Sequence, residues 1–233
     1  MRLLALLALL ALPAAGAVPR VLILGDSIYT QPSRQAAALL KGKADIVVSD
    51  MKSGEVFNTT SALPSLDELL GAEKWDLIHF NFGLGDLVHR TPGMKAFRVM
   101  SKQAGGIRAT DPAQYEKNLA AIVKRLQATR AKLVWASTTP IRGNANGLYE
   151  PGSEVTYNAI AAKVMAASRI PVNDMHATVA AMLDESKQTT ADPFSFGKNV
   201  TIHPPLVKAI CGALSIPVPN EVDKQAEPQR RRK

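Results

Sequence analysis

The sequence predicts an α/β protein: a three-layer sandwich around a central, mostly parallel sheet of about five strands. Short apolar runs rich in Val, Ile and Leu alternate with longer segments of helical period. The runs are continuous rather than alternating in polarity, as strands covered on both faces are. With 46% of its 233 residues apolar, the chain can bury one substantial core, so one domain is expected.

The elements follow in chain order. Arg2 precedes "LLALLALLAL" and then "PAAGA", with small residues at Ala15 and Ala17. A charged start, an apolar run of about ten residues and an A-x-A site describe a secretory signal cut after Ala17. A membrane span needs about 20 apolar residues, and Pro13 interrupts the run too early. A buried N-terminal helix is the alternative. Residues 1–17 thus read as signal, 18–218 as the folded domain and 219–233 as a basic tail. Location is secreted or periplasmic, with no stable membrane insertion after cleavage. Strands are expected at 20–25, 44–50, 75–83, 131–139 and, short, 170–174. Helical patterns lie between them. In 112–130, Tyr115, Leu119, Ile122, Val123 and Leu126 share a face behind an Asp111-Pro112 start, a cap followed by first-turn proline. A last helix is expected over "PPLVKAICGAL". The tail "DKQAEPQRRRK" has no apolar period and reads as solvated and disordered. Cys211 is the only cysteine, so neither a disulfide nor a Cys-based metal site can form within the chain, and its apolar setting marks it as core. No cofactor or metal is expected.

In open α/β sheets the ligand crevice lies outside the carboxyl ends of the strands. Gly25-Asp26-Ser27, Gly83–Leu87 and Thr138–Gly143 all fall at such ends. Ser27, between a strand and a helix, projects its hydroxyl there, with its N–H near a helix start that favours developing negative charge. As a nucleophile it needs a base; alternatively, Asp26 or Ser27 merely caps the next helix. Of the four histidines, His79 lies within a strand and reads as core. His89 and His176 read as surface or loop residues. His203, on a loop before the final helix and followed by Pro204-Pro205, is the candidate base.

These residues resemble the SGNH (GDSL-type) hydrolases. "GDS" ends the first strand, Gly54 follows the second in "KSGEVFN", "GLGD" ends the third, and a histidine precedes the last helix. "LVWASTTPI" and "VTYNAIAAKVM…IPVND" look like the carbohydrate-esterase-like branch, and the likeness runs from about residue 20 to 215. It implies a flavodoxin-like sandwich, Ser27 as nucleophile, His203 as base, and an oxyanion hole from the N–H groups of Ser27 and Gly54 and a third-block donor. Two positions depart from the pattern. The third block carries Gly85 where the family has asparagine, and losing one such donor costs on the order of 10²–10³ in rate. Gly85 can offer only its backbone N–H; whether Asn81 substitutes is open. The acid normally three residues before the histidine is replaced by Val200. Asn199 is a possible orienter of the imidazole, and Asp192 is too distant in sequence to assign. Asp86 reads as structural, holding the serine turn or an adjacent loop through backbone N–H groups.

The stretch from Val88 to Thr110 holds His89, Arg90, Lys95, Arg98, Lys102 and Arg108 with no acid before Asp111. It is either a solvated face or a cationic rim for an anionic substrate, to which Arg142 could add. Arg90, Arg98, Arg108 and Arg142 are therefore candidate substrate contacts. No aromatic platform accompanies them, which argues against nucleic acid. The expected function is an exported esterase that removes small acyl groups from carbohydrate or related esters. The alternatives are a glycan-binding protein of the same fold with little turnover, and a lipase or thioesterase. Acyl group, sugar and oligomeric state are not legible.

Overall fold

The computed structural model describes residues 17–49, 57–143, 147–183, 196 and 200–222. Gly54, Asn199 and Asp192 lie outside them. β1 (Arg20–Leu24) leads through a 3-10 turn (Ser27–Tyr29) into α1 (Thr30–Leu39), and β2 (Asp45–Ser49) follows. Short helices α2 (Thr59–Ala62) and α3 (Leu66–Leu70) precede β3 (Leu77–Phe80), which gives way to α4 (Leu84–Leu87). A two-strand hairpin, β4 (His89–Arg90) and β5 (Ile107–Arg108), then leads into α5 (Pro112–Ala128) and β6 (Lys132–Ala136). The chain continues through α6 (Ser153–Ser168), β7 (Val172–Asn173), α7 (Met175–Met182) and α8 (His203–Leu214).

The main sheet has five strands in the order β2-β1-β3-β6-β7, all parallel. The period of two along each strand sends alternate side chains to opposite faces. Val21 and Ile23 join Leu77, Val134 and the inner faces of α1 and α8. Leu22 and Leu24 join Ile78, Phe80, Trp135 and the buried faces of α5 and α6. Covered on both sides, β1 can afford no polar residue, which is why its sequence reads as one apolar run. The α5 face is as expected: Tyr115, Leu119, Ile122, Val123 and Leu126 are all buried, and Asp111 caps the helix by accepting from Gln114 N at 2.9 Å. Among the described residues no helix is long and apolar enough to cross a membrane.

The direction of α8 fixes one corner of the molecule. Lys132 opens β6, and its Nζ donates to the carbonyl of Ala213 near the end of α8 at 2.7 Å. The helix packs on α1, β3, β6 and β7. At about 1.5 Å rise per residue it runs back along the sheet, antiparallel to the strands. Its first residue, His203, therefore stands at the sheet's carboxyl edge.

Four details differ from expectation. Val222 is buried against the α1–α8 layer, so the folded part runs past residue 218 into what reads as tail. His203 is inside α8, and Pro204 and Pro205 occupy its first turn, where a missing N–H costs nothing. The basic stretch contains the β4–β5 hairpin, whose strands are too short to show a period. His89 is buried, not superficial, because its Nδ1 meets the carbonyl of Leu148 at 2.9 Å.

Candidate active site

The carboxyl edge is built turn by turn. After β1, Asp26 caps the 3-10 turn, its Oδ1 accepting from Ile28 N at 3.0 Å. The capping role thus falls to Asp26, and Ser27 is left exposed to solvent. Desolvation pushes the Asp26 carboxyl up to about 6, so it is ionised at neutral pH. Tyr29 folds beneath the turn so closely that a Cβ on Gly25 would lie 2.7 Å from its ring. It meets His79 edge-on at 5.8 Å. His79 is packed in the sheet away from solvent: burial lowers its pKa to about 4, and its Nε2 faces the Asn173 amide nitrogen at 3.2 Å. His203, at the head of α8, is 5% exposed. It belongs to the layer carrying α1, the helix that continues the Ser27 turn.

The start of α2 and the exit of β3 are locked together from below. Asp86 is fully buried and accepts from Thr59 N at 3.0 Å and Thr59 Oγ1 at 2.6 Å. It therefore holds an adjacent loop through a backbone N–H, as the sequence suggests. Desolvation raises its carboxyl to about 6, although the Thr59 and Thr110 bonds act against that rise. Asn118 Nδ2 braces the same corner, 3.3 Å from Thr59 Oγ1 and 3.2 Å from Thr60 Oγ1. Phe57 stacks on Phe82 at 4.7 Å, tying the approach to α2 to the exit of β3. The Tyr115 hydroxyl donates to the Phe82 carbonyl at 2.7 Å, fixing the peptide next to Gly83.

Gly85 lies in the first turn of α4, where amide N–H groups have no acceptor within the helix. Asn81 is turned elsewhere: its Nδ2 donates to Ala136 O at 2.8 Å and to Thr138 Oγ1 at 3.3 Å, which occupies both amide hydrogens. Thr138 is held in turn by Asn158, which accepts from its N–H and donates to its carbonyl, each at 2.8 Å. Tyr115 was read from the sequence only as part of an apolar face, and Asn118 and Asn158 were not singled out. Tyr115 and Asn118 sit on an otherwise apolar helix face, and a polar atom there is a sign of a buried bond.

The basic residues divide into two groups. Arg108 donates to Glu150 Oε2 at 2.6 Å and lies over the Tyr157 ring at 5.6 Å. Lys102 also pairs with Glu150, and His89 Nε2 is 3.6 Å from it. Lys102 foremost holds the Glu150 carboxyl below its ordinary range. Arg142 is only 5% exposed, so it adds nothing to an open rim. Arg90 donates to Met94 O at 3.3 Å, while Lys95 and Arg98 are exposed. His176 lies off to the β7 side, 3.6 Å from the buried Glu154.

No family model and no curated protein matches the chain. Solved structures do. The acetylxylan esterase Axe2 from Geobacillus stearothermophilus shares 16% identity at TM-score 0.59, over 87% of this chain and 96% of that one. A lipase/acylhydrolase from Enterococcus faecalis shares 14% identity at TM-score 0.57, over 91% and 100%. A GDSL-like lipase from Bacteroides thetaiotaomicron shares 16% at TM-score 0.54, over 84% and 87%. Serine-to-alanine and histidine-to-alanine variants of Axe2, described as catalytic mutants, align equally well.

Proposed function

We propose, from a chain that has the SGNH-hydrolase fold of GDSL-like lipases and acetylxylan esterases, that it is an ester hydrolase with Ser27 as nucleophile and His203 as base. The observation that carries this reading is positional. Ser27 is exposed where β1 meets a helical turn, and α8 runs antiparallel to the strands, which brings His203 to that same edge. The Axe2 variants support these roles by analogy, since its catalytic residues are also a serine and a histidine.

In this reading Ser27 Oγ attacks the ester carbonyl while His203 takes its proton and then passes it to the leaving alkoxide. Water, activated by the same imidazole, releases the acyl group. The backbone N–H groups of Ser27, Gly54 and Gly85 bind the oxyanion. With no asparagine side chain at position 85, turnover is lower by on the order of 10²–10³ than with a full donor set. Asn199 orients the imidazole in place of an acid. Small acyl groups on carbohydrate are the substrates, a choice that rests on the acetylxylan esterases among the similar structures. Export by way of residues 1–17 is part of the proposal. It is supported by β1 beginning at Arg20, so that cleavage after Ala17 spares every described element.

The test compares the purified chain with Ser27→Ala and His203→Gln on p-nitrophenyl acetate, with circular dichroism as the folding control. Both variants are expected to fall to the uncatalysed rate. Equal rates for all three would overturn hydrolysis at Ser27. They would favour a glycan-binding protein without turnover, a reading to which the occupied Asn81 amide already lends weight.

A further inference from the structure

The β4–β5 hairpin has two unlike faces. Residues paired directly across antiparallel strands point to the same side. His89 is paired with Arg108, and both turn to the body, onto Leu148 O, Glu150 and the Tyr157 ring. One position along, Arg90 is paired with Ile107 on one flank and bridged to Val99 on the other. Val99, Arg90 and Ile107 therefore form a row on the outward face. Val99 is 54% exposed and Ile107 47%, with Met94, at 37%, beside Arg90. Lys95 and Arg98, on the same hairpin, are exposed and have no ion pair among the described residues, since Glu150 serves the other face.

We infer that this outward face is a docking surface for an anionic lipid bilayer. Its chemistry is that of an amphiphile boundary: branched aliphatic side chains flank a guanidinium, and further cations stand at the margin. Aliphatic side chains gain by leaving water for the acyl boundary, whereas they offer a saccharide no ring to stack on. Unpaired cations supply the complementary charge, each adding about fivefold to affinity near an anionic surface, from about 1 kcal/mol per side chain. The anchored face makes the platform stiff, so little ordering is needed on contact. β4 follows directly on α4, so the platform leaves the sheet's carboxyl edge.

Sedimentation with phosphatidylcholine vesicles, with and without phosphatidylglycerol, at low and high salt, tests the inference independently of any esterase activity. The full chain is compared with Lys95→Glu/Arg98→Glu and with Val99→Ser/Ile107→Ser, each checked by circular dichroism. The difference between wild type and variant is the readout, so binding through the N-terminal apolar run or the basic tail cancels. Wild type is expected to bind the anionic vesicles in a salt-sensitive way. The charge variant should lose at least about tenfold in affinity and the serine variant about fivefold. Three results would each overturn the inference: variants that bind like wild type, a serine variant unchanged while the charge variant fails, and capture of polygalacturonate through these side chains with no vesicle binding.

Discussion

Replacing Gly83 with alanine should expose how tightly the edge is packed. Gly83 has φ 176°, outside the left-handed region that favours glycine. The cost is steric. The new Cβ would sit 3.0 Å from Thr138 Cβ, 3.1 Å from its Cγ2, and closer still to its Oγ1. Thr138 cannot retreat, because Asn158 holds both its N–H and its carbonyl at 2.8 Å and the side chain is 2% exposed. Overpacking of this kind costs about 1–3 kcal/mol. Losing the long Asn81–Thr138 hydrogen bond adds about 0.5–1 kcal/mol, and alanine's smaller unfolded-state entropy returns about as much. Gly83→Ala should therefore destabilise by about 1–3 kcal/mol. Thr138→Ala alone should cost about 1–2 kcal/mol. In the double variant the new methyl fills the space the threonine vacates, so the two costs should fail to add by at least about 1 kcal/mol. Urea denaturation of the four proteins measures this. Additivity within about 0.5 kcal/mol would refute the close approach of these two turns.

Other predictions concern buried polar groups. Asp86 rises from an ordinary 3.8 to about 6 in the folded state, so the native chain binds the proton more tightly than the unfolded one. Its contribution is full below about pH 4 and lost as pH rises through 6, a change of up to about 3 kcal/mol. Asp86→Asn lacks this dependence, so its deficit against wild type should shrink steadily from pH 4 to pH 7 in denaturation series. A deficit that grew over that range would contradict the assignment. His79 works in the opposite sense: lowered to about 4, it favours the native state above its ordinary 6.5, and that gain is lost as pH falls toward 4. Tyr115→Phe removes the donor to Phe82 O and should cost about 1–2 kcal/mol by denaturation, with faster amide exchange around Gly83. Unchanged exchange there would show that the hydroxyl does not fix the turn.

The sheet was legible because its central strands β1, β3 and β6 are buried on two faces and read as apolar runs. The α5 face and its Asp111 cap were legible for the same local reason. Ser27 stood out because a nucleophile directly follows a buried strand. What escaped the sequence depends on partners distant along the chain. His89 is buried by Leu148 O and Glu150, and Gly83 is forced by Thr138 from the turn after β6. Arg142 reads as a free cation in its loop, yet the fold places it among the buried residues. The hairpin's two-residue strands carry too few positions for alternation to register.

The antiparallel return of α8 also bears on how the molecule comes into being. The β1–β2 and β1–β3 pairs can form once the first 80 residues exist. The layer over α1 waits for a helix made more than 160 residues later. Bringing such distant segments together is slow, since the closure entropy is spent before the contacts repay it. The carboxyl edge is therefore completed last, by the arrival of His203. A chain emerging from a ribosome or threading a translocon carries Ser27 from the outset but lacks its opposite wall until synthesis is nearly over. Whatever chemistry this edge performs is withheld from the nascent chain by the order of its own assembly.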